Sequence, residues 1–219
     1  MNLIVSTGIA SLFIQIVTAI FDFYVLGLNI PKKLIILKNL LILEFIVQII
    51  EGSFYVWMIF NFSKNLNITL ARYYDWMITT PTMLFTYSLY LLYLKNNENN
   101  IDIPFGDLVY TNLPILTIIF ILNGIMLLFG YLGELNKIER YKATLLGFIP
   151  FIIYFYIIYV NFVGPSSKFI FWCFFGLWFL YGVASLLSYT IKNISYNILD
   201  LFAKNFFGIY LAYVLYTSI

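Results

Sequence analysis

Apolar residues occur along the chain in seven runs, each of about 20 residues or more, separated by short polar breaks. The runs cover approximately residues 3–28, 34–60, 67–94, 106–131, 141–163, 168–190 and 194–218. A helix that crosses a membrane needs about 20 predominantly apolar residues, so each run predicts one membrane-spanning helix. Because the breaks are short, we expect neighbouring helices to run antiparallel and to pack as an all-α bundle of seven transmembrane helices.

The composition also indicates a multi-pass integral membrane protein. Of the 219 residues, 63% are hydrophobic and only 10% are charged, whereas soluble domains carry about 25% charged residues. The net charge of +2 comes without a basic cluster, which argues against a nucleic-acid partner. The chain has no histidine and a single cysteine, Cys173, so we expect neither an internal disulfide nor a metal site.

The first loop gives the only indication of orientation. With Arg72 and Lys204 set aside as intramembrane residues, the basic residues divide equally between the two sides. Lys32, Lys33 and Lys38 follow the first predicted helix, and that helix often fixes the topology through the positive-inside rule. We therefore expect the N-terminus outside and the C-terminus inside.

Four charged residues inside the spans form two opposite-charge pairs. Arg72 and Asp75 are one helical turn apart in the third span, and Asp200 and Lys204 are one turn apart in the seventh. A lysine at the centre of a membrane helix costs at least about 2.5–3.5 kcal/mol, and an opposite charge at about 4 Å offsets about 4 kcal/mol at an effective dielectric near 20. Two explanations stay open: a structural ion-pair cluster, or a desolvated lysine that forms a Schiff base with an aldehyde.

The motifs that carry these charges resemble the signature of the microbial (type 1) rhodopsins. They are RYYDWMITTP at residues 72–81 and DLFAK at residues 200–204. The resemblance extends over all seven predicted helices. It implies that residues 1–219 form a single seven-helix retinal-binding membrane domain, a photoreceptor without enzymatic activity.

The same resemblance implies the site residues. Lys204 is expected to carry all-trans retinal as a Schiff base, with Asp75 and Asp200 as counterions and Arg72 outside them. The expected walls of the retinal pocket are Trp76, Thr80, Met83, Met126, Gly130, Trp178 and Tyr181. Each aromatic residue taken singly is better explained as ordinary core, so the assignment depends on the spacing from Asp75 and Lys204.

Polar residues on the first, second and seventh spans bear on the output of the protein. Glu44, Gln48 and Glu51 form a stripe on an otherwise apolar second helix. Rows of carboxylates line cation pathways, whereas polar groups that only join helices contribute about 0.6 kcal/mol each. The predicted ion pathway consists of Ser11, Gln15, Glu44, Glu51, Arg72, Asn197 and Asn205.

This pattern, with Asn205 directly after the lysine, resembles the group 1 viral rhodopsins of giant algal viruses. The resemblance implies a light-gated channel for Na⁺ and K⁺ whose partners are the lipid bilayer, monovalent cations and protons. For a viral protein it implies a membrane of the infected host cell. Glycine-containing helix faces are compatible with an oligomer.

Departures from the proton-pump pattern separate the alternatives. Thr86 stands where outward proton pumps of the family usually have a proton-donating acid. A weak light-driven outward proton pump with Asp75 as acceptor is therefore the alternative to a channel, and a sensory photoreceptor is less favoured. Thr80 and Asn123 occupy positions that pair near retinal in channelrhodopsins. For the glutamates of the second helix, we expect substitution by glutamine to alter the current but leave the visible absorption nearly unchanged.

Overall fold

The computed structural model describes residues 2–64 and 66–219, which form seven long helices and no strand. The bundle of seven helices that the apolar runs predict is confirmed. The first six helices are α1 (Leu3–Leu26), α2 (Ile35–Asn61), α3 (Ile68–Glu98), α4 (Phe105–Glu134), α5 (Arg140–Phe162) and α6 (Lys168–Ser185). Helix α7 consists of Tyr189–Asp200, a π-helical turn at Leu201–Asn205 and Phe206–Ser218.

The last connection differs from the sequence-based boundaries. Helix α6 ends at Ser185 and α7 begins at Tyr189, so Lys192 and Asn193 lie inside a helix and not in a polar break. Both side chains are fully buried. Lys192 donates to Glu134 at the end of α4, and Asn193 donates to the Thr69 hydroxyl over 2.9 Å. Their polarity suggested a loop, but partners on neighbouring helices make these positions suitable for a bundle interior.

The helices place polar side chains inside the bundle and apolar side chains outside. On α1, Gln15 and Asp22 are buried while Phe13 and Ile20 are exposed. Five helical segments within the described residues are long and apolar enough to cross a membrane; α2 and α3 are not among them. Both of these helices carry buried charged residues along their inner faces, which lowers their mean hydropathy without exposing charge to lipid.

The bundle has two dissimilar halves. Helices α3, α5 and α6 meet through aromatic rings, among which Tyr87 and Phe174 are stacked with centroids 4.0 Å apart. Helices α1, α2 and α7 meet through hydrogen-bonded polar side chains instead, for example Gln15 of α1 and Glu51 of α2. The aromatic half suits an apolar ligand, and the polar half suits ions or water.

A π-helical turn in α7 marks the boundary between these halves. The N–H of Phe206 donates to the carbonyl of Leu201, a five-residue step that closes the wider turn. Such turns insert one residue into a helix and occur frequently at functional sites. This one contains Lys204 and Asn205 and therefore fixes the direction in which each side chain leaves the helix.

The buried pair of Lys192 and Glu134 predicts a stability effect. Removing one member of a buried ion pair leaves the other charge unpaired, at a cost of about 3–5 kcal/mol. We therefore expect Lys192→Ala to lower the thermal unfolding midpoint of the purified protein, as measured by circular dichroism. Lys142→Ala is the matched control, because its pair with Glu139 is largely exposed and such pairs contribute about 0–1 kcal/mol. Equal shifts in the two variants would contradict a stabilising role for the buried pair.

Candidate functional site

Lys204 lies at the centre of the bundle, and the residue is only 2% exposed. Its Nζ donates to Oδ2 of Asp75 over 2.8 Å and lies 3.7 Å from Oδ1 of Asp200. A third carboxylate, from Glu51 on α2, has its Oε1 3.8 Å from the amine. The structure thus places both predicted counterions beside the lysine and adds Glu51, which sequence reasoning assigned only to the ion pathway.

The two aspartates differ in how their oxygens are occupied. Asp200 accepts hydrogen bonds from the hydroxyls of Tyr55 and Tyr181, each over 2.7 Å, and from Arg72 over 3.1 Å. Oδ2 of Asp75 accepts from Lys204, but its Oδ1 has no partner among the described residues. Asp200 is therefore held by three donors, whereas Asp75 retains an open acceptor position.

Arg72 connects the start of α3 to α7. Its guanidinium donates to the side-chain oxygens of Asn193, over 3.3 Å, and of Asn197, and it forms the ion pair with Asp200. It also lies over the ring of Phe54 at 5.1 Å, a cation–π geometry. These contacts hold a fully buried positive charge in one position, next to the carboxylates, as predicted.

A cavity extends from Lys204 between helices α3 to α7. It encloses about 800 Å³ of space free of protein atoms, with its opening to the surface included. The structure brings all eight predicted cofactor-binding residues to its wall, namely Trp76, Thr80, Met83, Met126, Gly130, Trp178, Tyr181 and Lys204.

Sequence reasoning missed other residues of the wall. Phe148 and Phe151 of α5, and Tyr73 and Tyr196, also line the cavity. Nothing in the local pattern of Phe148, Phe151 and Tyr196 distinguishes them among the chain's 23 phenylalanines and 19 tyrosines. Only Tyr73 gives a signal, because it lies within the 72–81 motif.

Two glycines keep the cavity walls close. A Cβ atom added at Gly130 would lie 3.1 Å from Cε1 of Tyr73, so the side chain of Tyr73 needs the missing methyl group. At Gly182 an added Cβ would overlap the ring of Phe148. Gly130 on α4 therefore makes space for Tyr73, and Gly182 on α6 makes space for Phe148.

Thr80 and Asn123 join α3 to α4 at the cavity. Nδ2 of Asn123 donates to the Thr80 hydroxyl over 2.8 Å, and that hydroxyl donates to the carbonyl of Trp76 over 2.7 Å. The pairing expected from their positions is present, made of an amide and a hydroxyl.

The predicted ion-pathway residues lie where α1, α2, α3 and α7 meet, and all are at least 97% buried. Nε2 of Gln15 donates to Glu51 over 2.7 Å, and the hydroxyl of Ser11 donates to the carbonyl of Asn197 over 3.4 Å. The Thr86 hydroxyl donates to Glu44. We call this set of buried groups the polar seam; it consists of Ser11, Gln15, Glu44, Glu51, Arg72, Asn197 and Asn205.

A buried primary amine at the end of a largely apolar cavity suits an apolar aldehyde attached as an imine. Burial excludes water, and the three carboxylates stabilise a positive charge on the nitrogen. The aromatic walls, with Trp76 and Trp178 among them, suit a flat hydrocarbon chain. The residues present therefore fit retinal.

Comparison with known proteins agrees with this geometry. Residues 4–218 match the family described as bacteriorhodopsin-like proteins. The crystal structure of the viral rhodopsin OLPVRII is similar with a TM-score of 0.84 and 30% sequence identity, covering 100% of both chains. No curated protein sequence matches the chain.

More distant structures share the fold. The blue light-absorbing proteorhodopsin from Med12 has a TM-score of 0.74 and 18% identity, covering 98% of this chain and 97% of its own. Xanthorhodopsin, described as a light-driven ion pump with dual chromophore, has a TM-score of 0.73 and 17% identity, covering 99% of this chain and 93% of its own.

Proposed function

Because the chain belongs to the bacteriorhodopsin-like family and is a multi-pass membrane protein, we propose that it is a retinal photoreceptor that acts as a light-gated channel for Na⁺ and K⁺. The observation that carries this proposal is the polar seam, which passes within 3.8 Å of the Lys204 amine at Glu51. The full-length similarity to a viral rhodopsin supports a membrane of an infected host cell as its location.

In this proposal, Lys204 binds all-trans retinal and the cavity walls hold the rest of the molecule. When bound, retinal supplies the absorption of visible light and a change of shape at the lysine nitrogen. The protein supplies the charges around that nitrogen, namely Asp75, Asp200 and Glu51. Their geometry decides where a proton moves and when the seam opens.

Asp75 is the group that takes a proton from the Lys204 nitrogen after illumination. Its Oδ2 is 2.8 Å from Nζ and its Oδ1 is unpartnered within the described part of the chain. Asp200 is 3.7 Å away and its oxygens already accept from three donors, so Asp75 is the nearer and less occupied acceptor.

Arg72 is the outer barrier to cations in the dark. A fully buried guanidinium held by Asn193, Asn197 and Asp200 places a fixed positive charge across the seam. Its repulsion of a cation is strong because the interior has a low effective dielectric. Moving a proton from Lys204 to Asp75 changes the charge balance around Arg72 and so weakens this barrier.

Carboxylates beyond the barrier provide the path for cations. Glu51 and Glu44 lie on one face of α2, about 10 Å apart along the axis at 1.5 Å per residue, and both are fully buried. Asn205, on the facing side of α7, has an amide without a partner among the described residues. Charged and amide groups so arranged can replace part of the hydration shell of a passing cation.

One contact favours a second candidate function, the light-driven outward proton pump. The hydroxyl of Thr86 donates to Glu44, so a carboxyl group lies next to the position where pumps have their proton donor. Glu44 could then return a proton towards Lys204 from the inner side. The pump and the channel use the same residues and differ in whether passive cation flow is allowed.

Substitution of Lys204 tests the proposed attachment of retinal. Lys204→Ala removes the amine, so retinal added to the purified protein should give no stable visible absorption band. Lys142→Ala is the control, because that side chain is exposed and does not line the cavity. A normal band in Lys204→Ala, resistant to hydroxylamine in the dark, would contradict covalent attachment at this lysine.

Substitution by glutamine should distinguish the two glutamates of α2. The structure thus changes the sequence-based expectation that both variants leave the visible absorption nearly unchanged. Glu51→Gln removes a negative charge 3.8 Å from the lysine nitrogen, which should shift the visible absorption maximum to longer wavelength. Glu44→Gln, the matched control on the same helix face, should leave the maximum nearly unchanged. Identical spectra for the two variants would exclude Glu51 from the charge cluster.

Voltage-clamped photocurrents distinguish the channel from the pump. A channel current should reverse sign near the equilibrium potential of the conducted cations and should follow changes in external Na⁺ and K⁺. Glu44→Gln and Glu51→Gln should change the size or ion preference of that current, since both lie in the seam. A current that stays outward at all accessible voltages and ignores both ions would establish the pump instead.

A further inference from the structure

Asp22, near the end of α1, is a fully buried carboxylate that the proposed mechanism does not use. Its Oδ2 accepts a hydrogen bond from Nε2 of Gln48 over 2.6 Å. Both groups lie against Gly208 of α7: a Cβ atom added there would lie 3.1 Å from Oδ2 of Asp22 and would overlap Nε2 of Gln48. Three helices therefore converge on this carboxylate, and α7 has no side chain at the point of contact.

Buried polar atoms without hydrogen-bond partners lie on the helices that meet at Asp22. Oδ1 of Asp22, Oε1 of Gln48 and Oε2 of Glu44 have no hydrogen-bond partner among the described residues, and neither does the amide of Asn205. Glu44 lies one turn before Gln48 on α2, and Asn205 lies one turn before Gly208 on α7. An unpartnered buried polar group costs about 1–3 kcal/mol, so several in one place indicate a ligand that interacts with oxygen atoms.

The charge of this cluster also requires a partner. Within the described chain, neither Asp22 nor Glu44 forms an ion pair, whereas Lys204 is shared by Asp75, Asp200 and Glu51. The neighbours of the two carboxylates are a glutamine and a threonine, which carry no charge. Buried carboxylates are normally paired, bound to a metal ion or protonated.

The chemistry of these unpartnered atoms indicates which kind of cation would bind. All the free atoms except one amide nitrogen are oxygens, the ligands preferred by hard cations such as Na⁺ and K⁺. The described residues contain no group of three or more acidic, histidine or cysteine side chains that could hold a metal ion together. Two carboxylates with two amides provide fewer charges than divalent cations usually receive, which favours a monovalent one.

We propose that Asp22, Gln48, Glu44 and Asn205 form an inner binding site for a monovalent cation between α1, α2 and α7. The site lies one helical turn from Lys204 towards the C-terminal end of α7, because Gly208 follows the lysine by four residues. A role of this site as a stopping point for conducted ions rests on the proposed function. Its occupation in the dark does not depend on conduction.

Infrared difference spectroscopy of the retinal-loaded protein in the dark tests the site directly. The buffer is exchanged between NaCl, KCl and N-methyl-D-glucamine chloride, whose large cation cannot enter a buried site. The wild-type protein should show a carboxylate band that changes with Na⁺ or K⁺. Asp22→Asn should abolish this change, and Asp107→Asn, which removes an exposed carboxylate of α4, should retain it.

Gly208→Ala gives a second variant that alters no charge. Its added methyl group crowds Asp22 and Gln48, so the Na⁺ concentration that produces half of the infrared change should rise by about tenfold or more. The visible absorption band of each variant verifies that the protein is folded and loaded. A protonated carboxyl band that disappears in Asp22→Asn, together with no cation-dependent change in the wild type, would overturn the proposal, because a proton would then occupy the site.

Photocurrents from the same variants separate this inference from the proposed function. A cation-dependent band that Asp22→Asn abolishes, in a protein with only pump current, would support the site and refute the channel. A reversible channel current with no cation-dependent band would support the channel and refute the site.

Discussion

The amine of Lys204 is buried in a medium of low dielectric, and the cost of a charge at this position organises the bundle. An unpaired ammonium there is too costly to tolerate, so carboxylates arrive from three helices: Asp75 from α3, Glu51 from α2 and Asp200 from α7. The negative charges in turn require Arg72 and the hydroxyls of two tyrosines. Arg72 and Tyr55 are fully buried and Tyr181 is partly buried, so these groups fix the positions of helices as well as charges.

The bundle divides into an aromatic half and a polar half, which meet at this amine. On one side the cavity needs flat apolar walls, which Trp76, Trp178 and Tyr181 provide. On the other side α1, α2 and α7 carry amides and carboxylates that bond to one another across the helix interfaces. A change of charge at Lys204 acts on both halves at once, because the lysine belongs to both.

The polar groups between α1, α2 and α7 do not all serve to join helices. Gln15 bonds Glu51 and the carbonyl of Gln48, which a purely structural role would explain. The oxygens of Asp22, Gln48 and Glu44 that have no partner within the described residues are not explained by helix packing. Thr86 illustrates the effect of context, since its hydroxyl cannot supply a proton near neutral pH but donates a hydrogen bond to the carboxyl group of Glu44.

The sequence by itself determined the number of helices and the four charged residues that occupy the spans, and it suggested Lys204 as the residue that holds the ligand. These follow from local properties: the length of apolar runs, the four-residue spacing of Asp200 and Lys204, and a motif around Asp75. Helix ends near Lys192 were misjudged, because a lysine is polar by itself and only Glu134, 58 residues earlier, makes its burial acceptable. Only the tertiary structure placed Glu51 beside Lys204 and Asp22 against Gly208. Those contacts join separate helices, and their geometry depends on how α1, α2 and α7 rotate and pack, which no local spacing encodes.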